Sequence, residues 1–340
     1  MYYFDHSATT PLLPEITELM NNINKEVYGN PSSIYSLGRK SRNIIEAARS
    51  QVAQSISAKP DQIIFTSGGT ESNNQVFWSL LNSRRNHIVS NVIEHPAVVK
   101  VLQFLNQFGL IHDLVGVDAD GIVSIDKIAN AIQPETALIS IMLANNEIGT
   151  LQPVKEIVEI ANKRGVLVHT DAVQCLGKME LNVIDLGVDF LSLSAHKFYG
   201  PKGIGALYVK EPKALPSLII GGGQERDRRA GTENISAIAG MGLAAEISIK
   251  SLGKKVNALL SLEKQFKRGL NKFYKNAILN GNQSKKLPGL LNISFPGTKS
   301  GVLMKKLDRE GISVSNGSAC GSGDIKPSPV LSAIGLDDIT

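Results

Sequence analysis

Cysteine is nearly missing from this 340-residue chain: Cys175 and Cys320 are the two present, far apart and in unlike surroundings. Two such residues exclude a disulfide framework and fit a reducing compartment, so the cytoplasm is the expected location. Long apolar runs are missing too, none approaching the ~18 residues of a membrane span, and no membrane partner is expected. The opening residues, Met1-Tyr2-Tyr3-Phe4-Asp5-His6, carry an acid and no apolar stretch, which argues against a secretory leader. There is no internal repeat and no low-complexity tract. Charge of one sign is modest, with 36 Lys and Arg against 31 Asp and Glu for a net of +5. The basic residues fall in pairs such as Lys254-Lys255, Lys285-Lys286 and Lys305-Lys306. Pairs of that kind read as solvated helix faces and not as a nucleic-acid footprint.

What is present is an ordinary globular composition, 42% apolar and 20% charged. From about residue 60 to 210, short apolar runs alternate with helix-length amphipathic segments. The predicted strands are Gln62–Thr66, His87–Asn91, Ala137–Met142, Val166–Thr170, Asp189–Ser194 and Ile204–Val209. Predicted helices include Glu71–Leu81, Ala97–Phe108, Ile125–Ile132 and Val154–Arg164. Such alternation argues a mainly parallel sheet covered on both faces, with ligands at the carboxyl ends of the strands. Beyond Gly231-Thr232 the pattern becomes a long helical stretch, about Ile235 to Tyr274, broken near Ser251-Leu252-Gly253. A strand over Gly289–Phe295, a helix over Gly301–Arg309 and a strand over Ile312–Ser315 follow, the pattern of a small α+β unit.

Polar residues gather where the predicted strands end. Lys197 leaves the strand ending at Ser194, beside His196 and before a Gly/Pro-rich segment, where a desolvated amine can form a Schiff base. Asp171 leaves a buried apolar strand and needs a cation or several donors facing it. A protonated pyridine nitrogen is such a cation, and an N-cap role is the plainer alternative. Ser67-Gly68-Gly69-Thr70 lets backbone N–H groups and a helix N-terminus meet an anion, or serves as a simple turn. His95, ahead of Pro96, suits stacking and proton transfer near neutral pH, or a structural turn. Asn146, in Asn145-Asn146-Glu147-Ile148-Gly149, offers an amide to a phenolic oxygen or merely caps a polar turn. Taken together, the five describe a pyridoxal phosphate pocket. Cys320 lies in Ser315-Asn316-Gly317-Ser318-Ala319-Cys320-Gly321-Ser322-Gly323, too small and polar a setting for a core cysteine, and suits a mobile nucleophile. Cys175, beside Leu176, reads as the buried structural one.

These motifs resemble the cysteine desulfurases, pyridoxal phosphate enzymes of the class V aminotransferase group. The likeness runs nearly end to end, through Asp5 to Pro11, Gly29 to Ser33, Thr66 to Asn73, Glu94-His95, Asn145 to Gly149, Asp171 to Gln174, Ser194 to Gly203, Gly221 to Thr232 and Ser315 to Gly323. It implies an aspartate aminotransferase-like α/β fold, with a large cofactor domain over 12–250. A small domain, incomplete at its C-terminal end, is implied over 1–11 and 251–340. By resemblance Lys197 anchors the cofactor, Asp171 faces its ring nitrogen, and His95 stacks and moves protons. Gln174 and Asn146 would contact the ring oxygen and substrate side, while Gly69, Thr70, Ser194 and His196 would hold the phosphate. Thr232 would reach the neighbouring subunit's phosphate, implying a homodimer.

The implied reaction takes sulfur from L-cysteine onto Cys320 as a persulfide and releases L-alanine. The persulfide then passes to an iron–sulfur scaffold protein or another acceptor, and Cys320 is also the one expected contact to iron in a transferred cluster. A selenocysteine lyase, another class V lyase and a catalytically weak sulfur-trafficking partner are the competing readings. Family members continue past the counterpart of Leu336-Asp337-Asp338 with an arginine that binds the substrate carboxylate. Thr340 is the last residue here, so weaker substrate binding is expected, by several kcal/mol at most.

Overall fold

The computed structural model describes residues 1–212, 215–316 and 328–336. Among the described residues eleven strands run in chain order: β1 (Tyr2–Tyr3), β2 (Ile63–Thr66), β3 (His87–Asn91), β4 (Ile111–Val115), β5 (Thr136–Ser140), β6 (Leu167–Asp171), β7 (Phe190–Ser194), β8 (Gly205–Val209), β9 (Ile278–Asn280), β10 (Asn292–Ser294) and β11 (Ile312–Ser313). The helices are α1 (Pro14–Glu26), α2 (Ser36–Ser55), α3 (Gly69–Trp78), α4 (Pro96–Leu105), α5 (Ile125–Ala131), α6 (Val154–Lys163), α7 (Val183–Leu186), an irregular turn α8 (Gln224–Asp227), α9 (Ile235–Lys250), α10 (Leu252–Phe273), α11 (Ser300–Arg309) and α12 (Pro329–Ala333).

Seven strands form one sheet in the order β2-β8-β7-β6-β5-β3-β4. β3, β4, β5, β6 and β7 pair in parallel, and β8 runs antiparallel to both of its neighbours, β7 and β2. Alternation along each strand feeds two cores. Ile63 and Phe65 join α1, α2, α6 and α9 on one face, through Ile16, Ile45, Val52, Ile157 and Met241. Ile64, between them, points to the opposite face with Val76 and Phe77 of α3 and Val98 and Leu102 of α4. Helices on both faces explain why the strands read as continuous apolar runs. All five residues of β5, β7 and β8 are buried.

Two differences from the sequence-based expectation have physical causes. β4 is an edge strand with an alternating exposed pattern and the polar pair His112-Asp113, so it carries no buried apolar run. β6 extends one residue further than predicted, because Asp171 itself pairs in register with Ser192. α1 and α2, which precede the βα alternation, were not predicted. The helix break near Ser251 is a bend of 68° between α9 and α10. Beyond it, β9 and β10 form a short antiparallel pair, and β1 pairs in parallel with β11. The N-terminal strand thus closes against residues more than 300 positions later in sequence. No single helix among the described residues is long and apolar enough to cross a membrane.

Candidate active site

The parallel strands end along one edge of the sheet, and that edge opens into a cleft of about 2020 Å³. Gly69, Thr70, His95, Asn146, Asp171, Gln174, Ser194, His196 and Lys197 all line it. Sequence reading therefore placed nine of its candidates in one cavity. Thr232 lies outside it and is exposed. Cys320 lies outside the described residues. Among the described residues no group of His, Cys, Asp and Glu could hold a metal ion.

At the end of β2, Gly68 caps α3 without any side chain bonding back to the first turn. The N–H groups there are left for an anion, which the helix N-terminus favours. Two glycines make the turn tight enough. A Cβ on Gly205, at the start of β8, would lie 2.6 Å from the Gly68 Cα. One on Gly69 would lie 2.5 Å from a Val173 methyl. Ser194, at the end of β7, approaches the same turn, its Cβ 3.7 Å from that position on Gly69.

Asp171 closes β6 and is held from two sides. Asn73 Nδ2 donates to Oδ2 at 2.7 Å and the Val173 N–H donates to Oδ1 at 3.0 Å. Asn73 and Phe77 sit four apart on α3 and cover Asp171 and His169, two apart on β6, which is what the helical and strand periods allow. Phe77 meets His169 edge-on at 5.6 Å. His169 is bonded to Ser140 and Ser192 at 2.8 and 3.0 Å, and burial pushes its pKa down to about 4. A carboxylate 8% exposed with one donor per oxygen keeps acceptor capacity for a cationic ring nitrogen.

His95 is the N-cap of α4, and its Nδ1 accepts from the Ala97 N–H at 3.1 Å. That bond leaves Nε2 to exchange protons with the cleft. Burial lowers its pKa, partly offset by Asp171, and Lys197 lowers it further, so the ring is neutral near pH 7. Lys197 follows β7 on a 3-10 turn, and its Nζ donates to the carbonyls of Ser7 and, at 2.8 Å, Ala8. The N-terminal segment is locked over this turn: the Thr10 N–H and Oγ1 both donate to the His196 carbonyl at 2.9 Å. His196 Nδ1 meets Thr9 Oγ1 at 3.2 Å, and burial, with nearby lysines, lowers its pKa to about 4. Of the paired asparagines, Asn145 builds the turn, accepting from the N–H groups of Glu147 and Ile148, which leaves Asn146 to face the cleft.

Sequence reasoning missed several contributors. Asn73 was seen only as part of a helix start, and Ser7 and Ala8 act through backbone carbonyls that leave no side-chain signal. Glu94 is fully buried, accepts from Asn91 Nδ2 and the Met142 N–H at 2.7 Å each, and burial raises its pKa well above the carboxylate range. Arg49 and Glu225 form a buried bidentate pair at 2.7 Å, and Glu225 also accepts from the Phe65 N–H. Its signal was an arginine on the apolar face of α2, among Ile45, Ala48 and Val52.

Comparison with known proteins agrees with this geometry. The model of the family described as Aminotransferase class-V matches residues 2–338. Cysteine desulfurase IscS of Dictyoglomus turgidum is 46% identical over 98% of this chain and 86% of its own length. Cysteine desulfurase IscS of Methanosarcina thermophila is 43% identical over 98% of this chain and 83% of its own. A solved NifS-like protein superposes with a TM-score of 0.93 at 36% identity, covering 99% of this chain and 90% of that one. The structure of SspA in complex with cysteine gives 0.88 at 33% identity over 100% and 96%. The residues fit pyridoxal phosphate: an uncapped helix N-terminus for its phosphate, a partly satisfied buried Asp171 for its ring nitrogen, and Lys197 lining the same cleft. With this cleft and a match over almost the whole chain, the protein belongs to the class-V aminotransferase family.

Proposed function

We infer that the chain is a pyridoxal phosphate-dependent cysteine desulfurase. The observation that carries the reading is the meeting of Lys197, Asp171, Gln174 and His95 in one cleft of a chain so similar to cysteine desulfurases. The relatives' names favour it over a selenocysteine lyase, another class V lyase or a catalytically weak sulfur-trafficking partner.

When bound, pyridoxal phosphate supplies an electron sink for charge developing at the substrate Cα. The chain's own groups do the rest. Gly69, Thr70, Ser194 and His196 would hold the phosphate, and Asp171 the ring nitrogen. Lys197, held by backbone carbonyls at the cleft wall, and His95, open at Nε2, are the proton carriers in reach. Cys320 takes the sulfur. Its thiol and L-cysteine become a Cys320 persulfide and L-alanine, so every atom is accounted for and no external oxidant is needed. An iron–sulfur scaffold or another sulfur carrier would then accept the persulfide sulfur.

A homodimer is part of the same reading. Thr232 is exposed, and beside its turn Ile220 is 90% exposed, with the Ala230 N–H bonded to the Ile219 carbonyl. An apolar side chain so placed suits a subunit contact that carries Thr232 toward a neighbour's cleft. The two sparse cysteines suit a reducing compartment such as the cytoplasm. The test is turnover: purified protein with pyridoxal phosphate, L-cysteine and a thiol reductant is expected to form alanine and sulfide in equal amounts. Absence of both products would remove the desulfurase reading.

A further inference from the structure

We propose that Lys178 is a positioning residue that fixes the orientation of the Gln174 amide, so that Gln174 offers an N–H, and not a carbonyl oxygen, to the cleft. The inference rests on the reading of Gln174 as a contact to the ring oxygen of the cofactor. Lys178 Nζ donates to Gln174 Oε1 at 2.7 Å. On the other side, Gln174 Nε2 donates to the Ser7 carbonyl at 2.9 Å. An ammonium has only donors and a backbone carbonyl only accepts, so both contacts specify the same amide orientation. Turning the amide over would face NH₂ against ammonium and oxygen against oxygen.

The two contacts are not equivalent. The Ser7 carbonyl is shared with Lys197 Nζ, the reacting amine, whereas the Lys178 contact involves no reacting group. The Lys178 contact therefore does not require Lys197 to stay on the Ser7 carbonyl. Gln174 is 5% exposed and lines the cleft, with its second amide N–H left for a partner there. Consecutive turns bring the two side chains together: the Cys175 N–H bonds to the Ala172 carbonyl, and the Lys178 and Met179 N–H groups to the Cys175 carbonyl.

The setting of Lys178 argues against mere packing. Burial is the largest cause of a pKa lowered to about 7, with Cys175 opposing it and the neighbouring amines Lys197 and Lys255 adding to it, so the donor-only ammonium is the form held below that pH. An amine placed beside two others is an expensive way to fill space that a methionine would fill better.

The test is a double-mutant cycle on the full chain stripped of cofactor, reading the affinity for pyridoxal phosphate and the absorbance band of the bound form. Lys178→Met is expected to weaken affinity about tenfold, the loss of one oriented hydrogen bond, and to shift the band. In a Gln174→Ala background the same substitution is expected to change neither. Lys178→Arg, another donor-only cation, is expected to restore both readings in the otherwise native chain. Should Lys178→Met fail to fold, Lys178→Ala serves in its place. Equal losses in both backgrounds, or no loss in either, overturn the proposal. A Gln174→Ala variant with native affinity and native band shows instead that the reading of Gln174 is wrong, and the proposal falls with it.

Discussion

His169 lies two residues before Asp171 on β6, wedged between Phe77, Ser140 and Ser192, a setting that couples its protonation to folding. Its pKa falls from the ordinary 6.5 to about 4, with burial the largest cause. A group depressed in the folded state contributes stability that is fully present above pH 6.5 and is lost as pH falls through about 4. The gap between those values corresponds to about 3 kcal/mol. Denaturant unfolding at pH 7.5 and pH 5 is expected to show the native chain losing stability between them. His169→Gln should lose less, the remainder including His6, His95, His112 and His196, whose pKa values are lowered in the same direction. An unchanged pH dependence in the variant would contradict the assignment. At this scale the cleft-lining Lys197, Asp171 and His95 were legible in sequence because each is a polar residue at the end of an apolar strand or within the short turn that follows it. Asn73 and the carbonyls of Ser7 and Ala8 were not, because they act across contacts between segments distant in sequence, and Lys178 was not because its contact to Gln174 depends on the local turns between them.

Among the elements, the link between α2, β2 and the loop carrying Thr232 is the point where a single charge matters most. Arg49 bonds to both oxygens of Glu225 and to the Ile63 carbonyl, while Glu225 takes the Phe65 N–H. Glu225, Arg226 and Asp227 follow one another with φ values of 48, 59 and 65°, a left-handed run unusual for non-glycine residues. The buried pair holds that backbone in place. Glu225→Gln leaves the buried Arg49 charge with the half-exposed Glu46 as its remaining carboxylate partner, and should cost about 3 kcal/mol in unfolding experiments. A double variant, Arg49→Met with Glu225→Gln, should recover part of the loss; recovery of none would mean that the ion pair is not the source. The alternating βα core was readable from apolar runs, since strands buried on both faces leave an unbroken signal. β4 escaped because an edge strand alternates, and α8 because its conformation depends on an ion partner 176 residues away.

Considered as a whole molecule, the chain gathers five strand ends into one cleft and keeps Thr232 outside it. Ile220→Asp, at a side chain 90% exposed, should leave the fold intact while converting a dimer to a monomer in light scattering. Affinity for pyridoxal phosphate should fall with it, if Thr232 completes the neighbour's site. A monomeric native chain with full affinity would dismiss that part of the reading. The central claim concerns where the sulfur goes. The most direct measurement mixes the cofactor-loaded protein with one equivalent of L-cysteine, without reductant, and maps the modified peptide by mass spectrometry while alanine is quantified. One additional sulfur atom on the peptide carrying Cys320, matched by alanine, is the expected result. Alanine without sulfur on Cys320, or sulfur on the buried Cys175, would contradict it.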